Sequence, residues 1–71
     1  MMLLNFVYLN LEIFNIIKDT LDFDQLILEK PDKDGYPQWV HVSNKPRNNR
    51  KEVLVFDGGK YYNFDDWRPN V

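Results

Sequence analysis

Four short apolar runs constrain the fold of this chain more than any other feature of its sequence. Each run has four to six residues, a length that is typical of a strand and too short for a globular helix. Segments rich in proline, glycine and charged residues separate the runs, as loops and turns do. The predicted strands are Gln25–Glu29, Gln38–Ser43, Val53–Phe56 and Tyr61–Phe64.

The second run alternates most regularly, so its side chains divide between the two faces of a strand. The third and fourth runs flank Asp57–Lys60, whose Asp-Gly-Gly-Lys sequence is typical of a tight turn, and we expect them to form a hairpin. In the second run, Trp39, His41 and Ser43 share one face, and Val40 and Val42 share the other.

A helical pattern precedes the strands. Asn10 is a favourable N-cap residue, and Glu12 would then lie in the first turn, where the helix dipole favours an anion. Apolar residues follow at helical spacing, with polar residues largely on the opposite side. We therefore predict a helix from about Asn10 to Thr20. Its predicted apolar face carries Ile13, Phe14, Ile17 and Leu21.

One helix followed by four strands predicts an α+β domain, in which the N-terminal helix packs on a small antiparallel sheet of about four strands. The other face of such a sheet is exposed to water, and a binding site or an interface is expected there. With 71 residues, the chain forms one domain at most. We divide it into an apolar lead-in at 1–9, a helix and sheet at 10–64, and a tail at 65–71 that docks through Trp67. The lead-in either extends the helix or forms a separate segment.

Composition excludes several classes of function. The chain has no cysteine and one histidine, which argues against a disulfide framework and against a self-contained catalytic zinc site with three protein ligands. A net charge of -2 excludes a generally basic nucleic-acid binder. The apolar start is too short to span a bilayer, and it lacks the basic n-region of a secretory signal. We therefore expect a cytoplasmic protein that has no membrane partner.

A basic segment, residues 44–51, lies between the second and third predicted strands. It could contact phosphates or an acidic protein surface, and its asparagines could add hydrogen bonds. The alternative is a solvated loop between the two strands. Aromatic side chains outside the core would be interface anchors. The candidate partner-binding residues are Tyr36, Trp39, Lys45, Arg47, Asn48, Asn49, Arg50 and Lys51.

Three stretches of the chain are distinctive: Phe23–Glu29, Trp39–Ser43 and Asn49–Leu54. Together they resemble the C-terminal part of phage zinc D-Ala-D-Ala carboxypeptidase-like peptidases, the group that includes VanY-type enzymes and many endolysins. The resemblance runs from about Leu11 to about Tyr62 and covers only the C-terminal portion of such an enzyme. It implies a similar α+β fold for this chain, and it implies a structural role for Asn49 and Arg50, such as a turn or a carboxylate clamp.

The resemblance also implies a metal-binding role for His41, which matches a zinc ligand of that family. The chain has no counterpart of the upstream Ser-x-His-x-x-Gly-x-Ala-x-Asp segment, which supplies the other two ligands. Many relatives have a carboxylate three residues before the histidine as general base, and this position is Gln38 here. Glu29, on the neighbouring strand, is the nearest substitute. We therefore expect neither a cofactor nor catalysis by this chain alone.

These observations predict a non-catalytic, phage- or prophage-derived binding protein built on a truncated peptidase fold. We expect it to inhibit a host protein or ribonucleoprotein in the bacterial cytoplasm, as an anti-CRISPR protein does, and to bind nucleic acid directly only weakly. The alternative is the C-terminal part of a zinc peptidoglycan carboxypeptidase or endolysin, in which His41 binds zinc with ligands from another polypeptide. A homodimer that buries the exposed sheet face is a further alternative.

Overall fold

One helix and four strands form the part of the chain that the computed structural model describes, residues 6–68. The α+β class and all four predicted strands are confirmed. The start of the predicted lead-in and the end of the predicted tail lie outside the described residues. The elements are α1 (Phe6–Thr20), β1 (Gln25–Pro31), β2 (Pro37–Ser43), β3 (Glu52–Asp57) and β4 (Lys60–Asn63).

The four strands form one sheet in the order β2-β1-β3-β4. The outer pairs, β1 with β2 and β3 with β4, are antiparallel, whereas the central pair of β1 and β3 is parallel. The sheet is therefore mostly antiparallel, as expected, but mixed. Successive strands run in opposite directions, so β1 and β3 run in the same direction. They form a parallel pair because β3 is hydrogen-bonded to β1 and not to β2.

Helix α1 begins at Phe6, so the prediction of Asn10 as its N-cap is wrong, and the first turn contains no acidic residue. The apolar residues before Asn10 continue the helical pattern, and this part of the lead-in extends the helix. Asn10 is used in a tertiary contact instead, because its Nδ2 donates to the carbonyl oxygens of Pro37 at 3.3 Å and Gln38 at 2.8 Å. These bonds fix α1 to the first residues of β2.

The hydrophobic core lies between α1 and one face of the sheet. Alternate residues of β1 and β3 point to this face and pack against the helix and against the segment that precedes β1. Each of the five core side chains is at most 1% exposed. The core residues are Phe14, Phe23, Leu26, Leu28 and Val55.

The chain after β4 returns to this core, as predicted for Trp67. The indole of Trp67 packs against the core cluster, and its Nε1 donates to Asp57 Oδ2 at 3.2 Å. Phe64 packs there as well, with its ring centroid 5.2 Å from that of Phe14. The segment after β4 therefore adds two aromatic side chains to the core.

The predicted apolar face of α1 is only partly correct. Phe14 is buried and Ile17 packs against the core, but Ile13 and Leu21 are exposed. Apolar residues lie all around this helix, so spacing alone does not select the side that is buried. No helix within residues 6–68 is long and apolar enough to cross a membrane.

Two glycines connect β3 to β4. Gly58 and Gly59 have φ values of +61° and +82°, which is the pattern of a type I′ turn and one that other residues rarely adopt. A two-residue turn of this type fixes the register of the hairpin, and it places Tyr61 opposite Phe56. The predicted hairpin is confirmed.

We expect Phe14→Ala to lower the free energy of unfolding by about 3–5 kcal/mol, because the side chain fills the centre of the core. A loss of this size approaches the whole stability of a small domain, about 5 kcal/mol. Urea denaturation followed by circular dichroism measures the change. Ile16→Ala on the exposed side of α1 is the control and should have little effect. Equal stability of the two variants would contradict this description of the core.

Candidate functional site

The sheet has a second face, which points away from α1. Because Leu26 and Leu28 point to the core, the alternate residues of β1 point to the opposite side. We call this surface the open face, since the helix found within residues 6–68 lies on the other side. The open face carries Gln25, Ile27 and Glu29 of β1, Trp39, His41 and Ser43 of β2, Glu52, Leu54 and Phe56 of β3, and Tyr61 and Asn63 of β4.

One row of side chains crosses the open face on all four strands. In register, Trp39 is opposite Glu29, Glu29 is opposite Phe56, and Phe56 is opposite Tyr61. We call these four residues the aromatic row. Trp39 is 55% exposed and Tyr61 is 62% exposed, while the Phe56 and Tyr61 ring centroids are 4.7 Å apart. The row therefore presents three rings and one carboxylate on a single surface.

The two carboxylates of the open face differ in their partners. Glu52 accepts a hydrogen bond from Gln25 Nε2 at 2.8 Å and lies 3.7 Å from an Arg50 terminal nitrogen. The half-buried side chain of Glu29 has no hydrogen-bond or ion-pair partner among residues 6–68. The Nζ of Lys30 lies 5.1 Å from the centroid of the Trp39 ring.

His41 lies on the open face and is exposed. It is opposite Ile27, so Glu29 is its diagonal neighbour on the adjacent strand, a separation of about 7–8 Å. Within residues 6–68, no three His, Cys, Asp or Glu side chains are grouped so that they could hold a metal ion. The described residues therefore do not fit a self-contained zinc site around His41.

The basic segment is organised around Asp24, whose side chain is 7% exposed. Arg50 donates to this carboxylate from Nε at 3.0 Å, from a terminal nitrogen at 2.8 Å and from its backbone N–H at 3.1 Å. Lys45 Nζ lies 3.4 Å from the same carboxylate. The side-chain hydrogen bonds from Arg50 hold the pKa of Asp24 well below its usual range, and they raise the pKa of Arg50. This geometry supports the structural role implied for Arg50, the carboxylate clamp.

Other residues of the basic segment also have partners within the domain. Asn49 Nδ2 donates to Asp22 Oδ2 at 2.8 Å, and Asn49 Oδ1 accepts from the Lys45 backbone N–H at 2.8 Å. The Nζ of Lys51 lies 5.3 Å from the centroid of the Phe23 ring. These contacts close the segment against the residues that precede β1. Contact of this segment with a partner stays a prediction.

The remaining candidate residues lie in three separate parts of the molecule. Arg47 and Asn48 are exposed at the tip of the basic segment, where Asn48 has a φ of 63° in the left-handed region. Tyr36 is half-buried in the loop before β2, where its backbone is hydrogen-bonded to Asp32. Trp39, a predicted partner-binding residue, lies on the open face, as His41 does.

Sequence reasoning missed two members of the aromatic row. Phe56 and Tyr61 could have been paired from the Gly-Gly turn, which fixes the register of the hairpin. Their position beside Trp39 depends on the pairing of β1 with β3, which no local pattern encodes.

Comparisons of this chain with models of protein families, with curated proteins and with solved structures found no match. The resemblance to phage zinc peptidases therefore stays a prediction, and so does the origin that it implies.

We expect the hydrogen bonds between Asp24 and Arg50 to make the stability of the fold depend on pH. The pKa of Asp24 is lowered in the folded state, so its contribution is complete above the unfolded value of about 3.9 and is lost as the pH falls below it. Thermal unfolding should show Asp24→Asn to be less stable than the wild type at pH 7 and less sensitive to pH between pH 5 and pH 2. Asp34→Asn, at an exposed loop position, is the control. Parallel pH profiles for the wild type and Asp24→Asn would contradict the clamp.

Proposed function

We propose that this chain is a non-catalytic binding domain that docks on a partner protein through its open face. The observation that carries the proposal is the aromatic row, in which Trp39 and Tyr61 are each more than half exposed. Tryptophan and tyrosine are enriched among the residues that contribute most to binding at protein interfaces. Large rings on a flat sheet give a partner apolar area at a low cost in side-chain entropy.

The size of the molecule is compatible with this mode of binding. A standard protein interface takes about 800 Å² of surface from each partner. The accessible surface of the chain is 5455 Å², so one face of the sheet and its rim can supply that area. The side of the molecule that carries α1 and the core would stay outside such an interface.

The charges favour a protein partner over a nucleic acid. Arg50 and Lys45, which could otherwise contact phosphates, surround the carboxylate of Asp24. Both carboxylates of the open face would repel a phosphate backbone. We propose that the partner is a host protein or ribonucleoprotein and that the chain inhibits it by covering a functional surface. The predicted phage or prophage origin and the comparison with anti-CRISPR proteins belong to this proposal.

Direct measurement of binding tests the open face. We expect Trp39→Ala and Tyr61→Ala together to weaken the affinity for a partner by about tenfold or more, because each substitution removes an anchor. The partner is isolated by affinity capture from the cells that produce the chain and is then purified, and isothermal titration calorimetry gives Kd. Ile16→Ala, on the exposed side of α1, is the matched control.

An unchanged Kd in the double variant would contradict docking through the open face. Arg47→Glu, at the exposed tip of the basic segment, tests the other candidate surface. Arg50 is unsuitable for that test, because its substitution would also break the Asp24 clamp. Sedimentation equilibrium of the chain alone tests the alternative of a homodimer.

One observation favours the alternative of a peptidase part. His41 is exposed on the open face with Glu29 as its diagonal neighbour, so both groups would be available to a site completed by another polypeptide. Elemental analysis of purified, tag-free protein tests this alternative. Under our proposal we expect no zinc above background. About one zinc per chain, lost in His41→Ala, would contradict it and would support a metal site with recruited ligands.

A further inference from the structure

We propose that the open face recognises a lysine or arginine side chain of the partner protein, held between the carboxylate of Glu29 and the rings of the aromatic row. This inference rests on the proposed function and names the chemistry of the partner for the same surface. It depends on three observations: the lack of a partner for the Glu29 carboxylate among residues 6–68, the positions of the rings beside Glu29, and the position of Lys30.

The burial and the missing partner of Glu29 are the first observation. The residue is half-buried in the middle of the sheet, and its carboxylate has no hydrogen-bond or ion-pair partner among residues 6–68. Partial loss of water around a charged group costs free energy unless another group compensates it. Glu52, on the same face, is compensated by Gln25 and Arg50. A cation from a partner would compensate Glu29 in the same way.

The rings beside Glu29 provide the second observation. Trp39 and Phe56 are its direct neighbours in register on the two adjacent strands, with Cβ atoms about 5 Å away. The face of an aromatic ring attracts a cation through its quadrupole, and tryptophan attracts it most strongly. A cation above Glu29 would therefore contact a carboxylate and two rings at once. An apolar side chain at this point would leave the carboxylate desolvated and unpaired.

Lys30 provides the third observation. Its Nζ lies 5.1 Å from the centroid of the Trp39 ring, so this ring already accommodates a cation within the chain. Lys30 follows Glu29 in β1, and its φ of 50° lies in the left-handed region. An incoming cation would compete with Lys30 for the ring and would be repelled by its charge. Removal of the Lys30 charge should therefore strengthen binding, whereas removal of the Glu29 charge should weaken it.

Short peptides test the inference without knowledge of the partner. The probes are the acetylated, amidated tripeptides Gly-Arg-Gly and Gly-Lys-Gly, with Gly-citrulline-Gly as the neutral analogue of the arginine peptide. Binding is followed by NMR through the indole N–H of Trp39. The indole N–H of Trp67, which is hydrogen-bonded to Asp57, serves as an internal reference. We expect saturable shifts of the Trp39 signal with both basic peptides, and no saturable shift with the citrulline peptide.

Three variants make the test specific. Glu29→Gln should weaken binding of the basic peptides by about fivefold or more, the size of a partly desolvated cation contact. Lys30→Gln should strengthen it. Glu12→Gln, at an exposed position of α1, changes the net charge by the same amount as Glu29→Gln and should leave the affinity unchanged.

Several outcomes would overturn the inference: no saturable binding of either basic peptide, equal binding of the arginine and citrulline peptides, or an unchanged affinity in Glu29→Gln. Preferential binding of an inorganic phosphate probe would also overturn it. Binding measurements with the purified partner distinguish a failure of this inference from a failure of the proposed function. If the Trp39 and Tyr61 substitutions weaken partner binding but Glu29→Gln does not, the open face is the interface and cation recognition is wrong.

Discussion

The arrangement of the strands depends on one residue, Asp24, which lies where three of them meet. Its carboxylate accepts three hydrogen bonds from Arg50, while its backbone N–H donates to the Ser43 carbonyl at 2.8 Å and its carbonyl accepts from Glu52 at 2.9 Å. The first residues of β1 and β3 and the last residue of β2 are thereby joined. A shift of one residue in either pairing would move every side chain to the other face. The open face therefore exists because this junction fixes the register.

Local sequence patterns predicted the individual helix and strands, whereas long-range contacts determine how these elements pair and pack. Alternation identified β2, and the Gly-Gly turn identified the hairpin, because both signals lie within a few residues of sequence. The adjacency of β1 and β3 involves long-range contacts, such as that of Asp24 with Arg50, which are 26 residues apart. The role of Asn10 was misjudged for the same reason, since its partners belong to β2.

The candidate site was predictable only in part. Trp39 was identified from its place on an alternating strand, and Arg50 was correctly considered for a carboxylate clamp. Phe56 and Tyr61 became part of the site only through strand order. Glu29 was noted only as a substitute general base. Its significance comes from the lack of a partner among residues 6–68, and a sequence does not record whether a carboxylate is paired.

The position of β4 has a consequence for the energetics of the open face. All four residues of this edge strand are exposed, and within residues 6–68 it pairs with a neighbour on one side only. Segments with few buried contacts and solvent-exposed hydrogen bonds open locally at a lower free energy than the core does. We therefore expect Tyr61, on β4, to lie in a strand that opens at a lower free energy than the central strand β1 does. A ligand that spans Trp39 and Tyr61 would suppress this opening, and part of its binding energy would be spent on ordering β4.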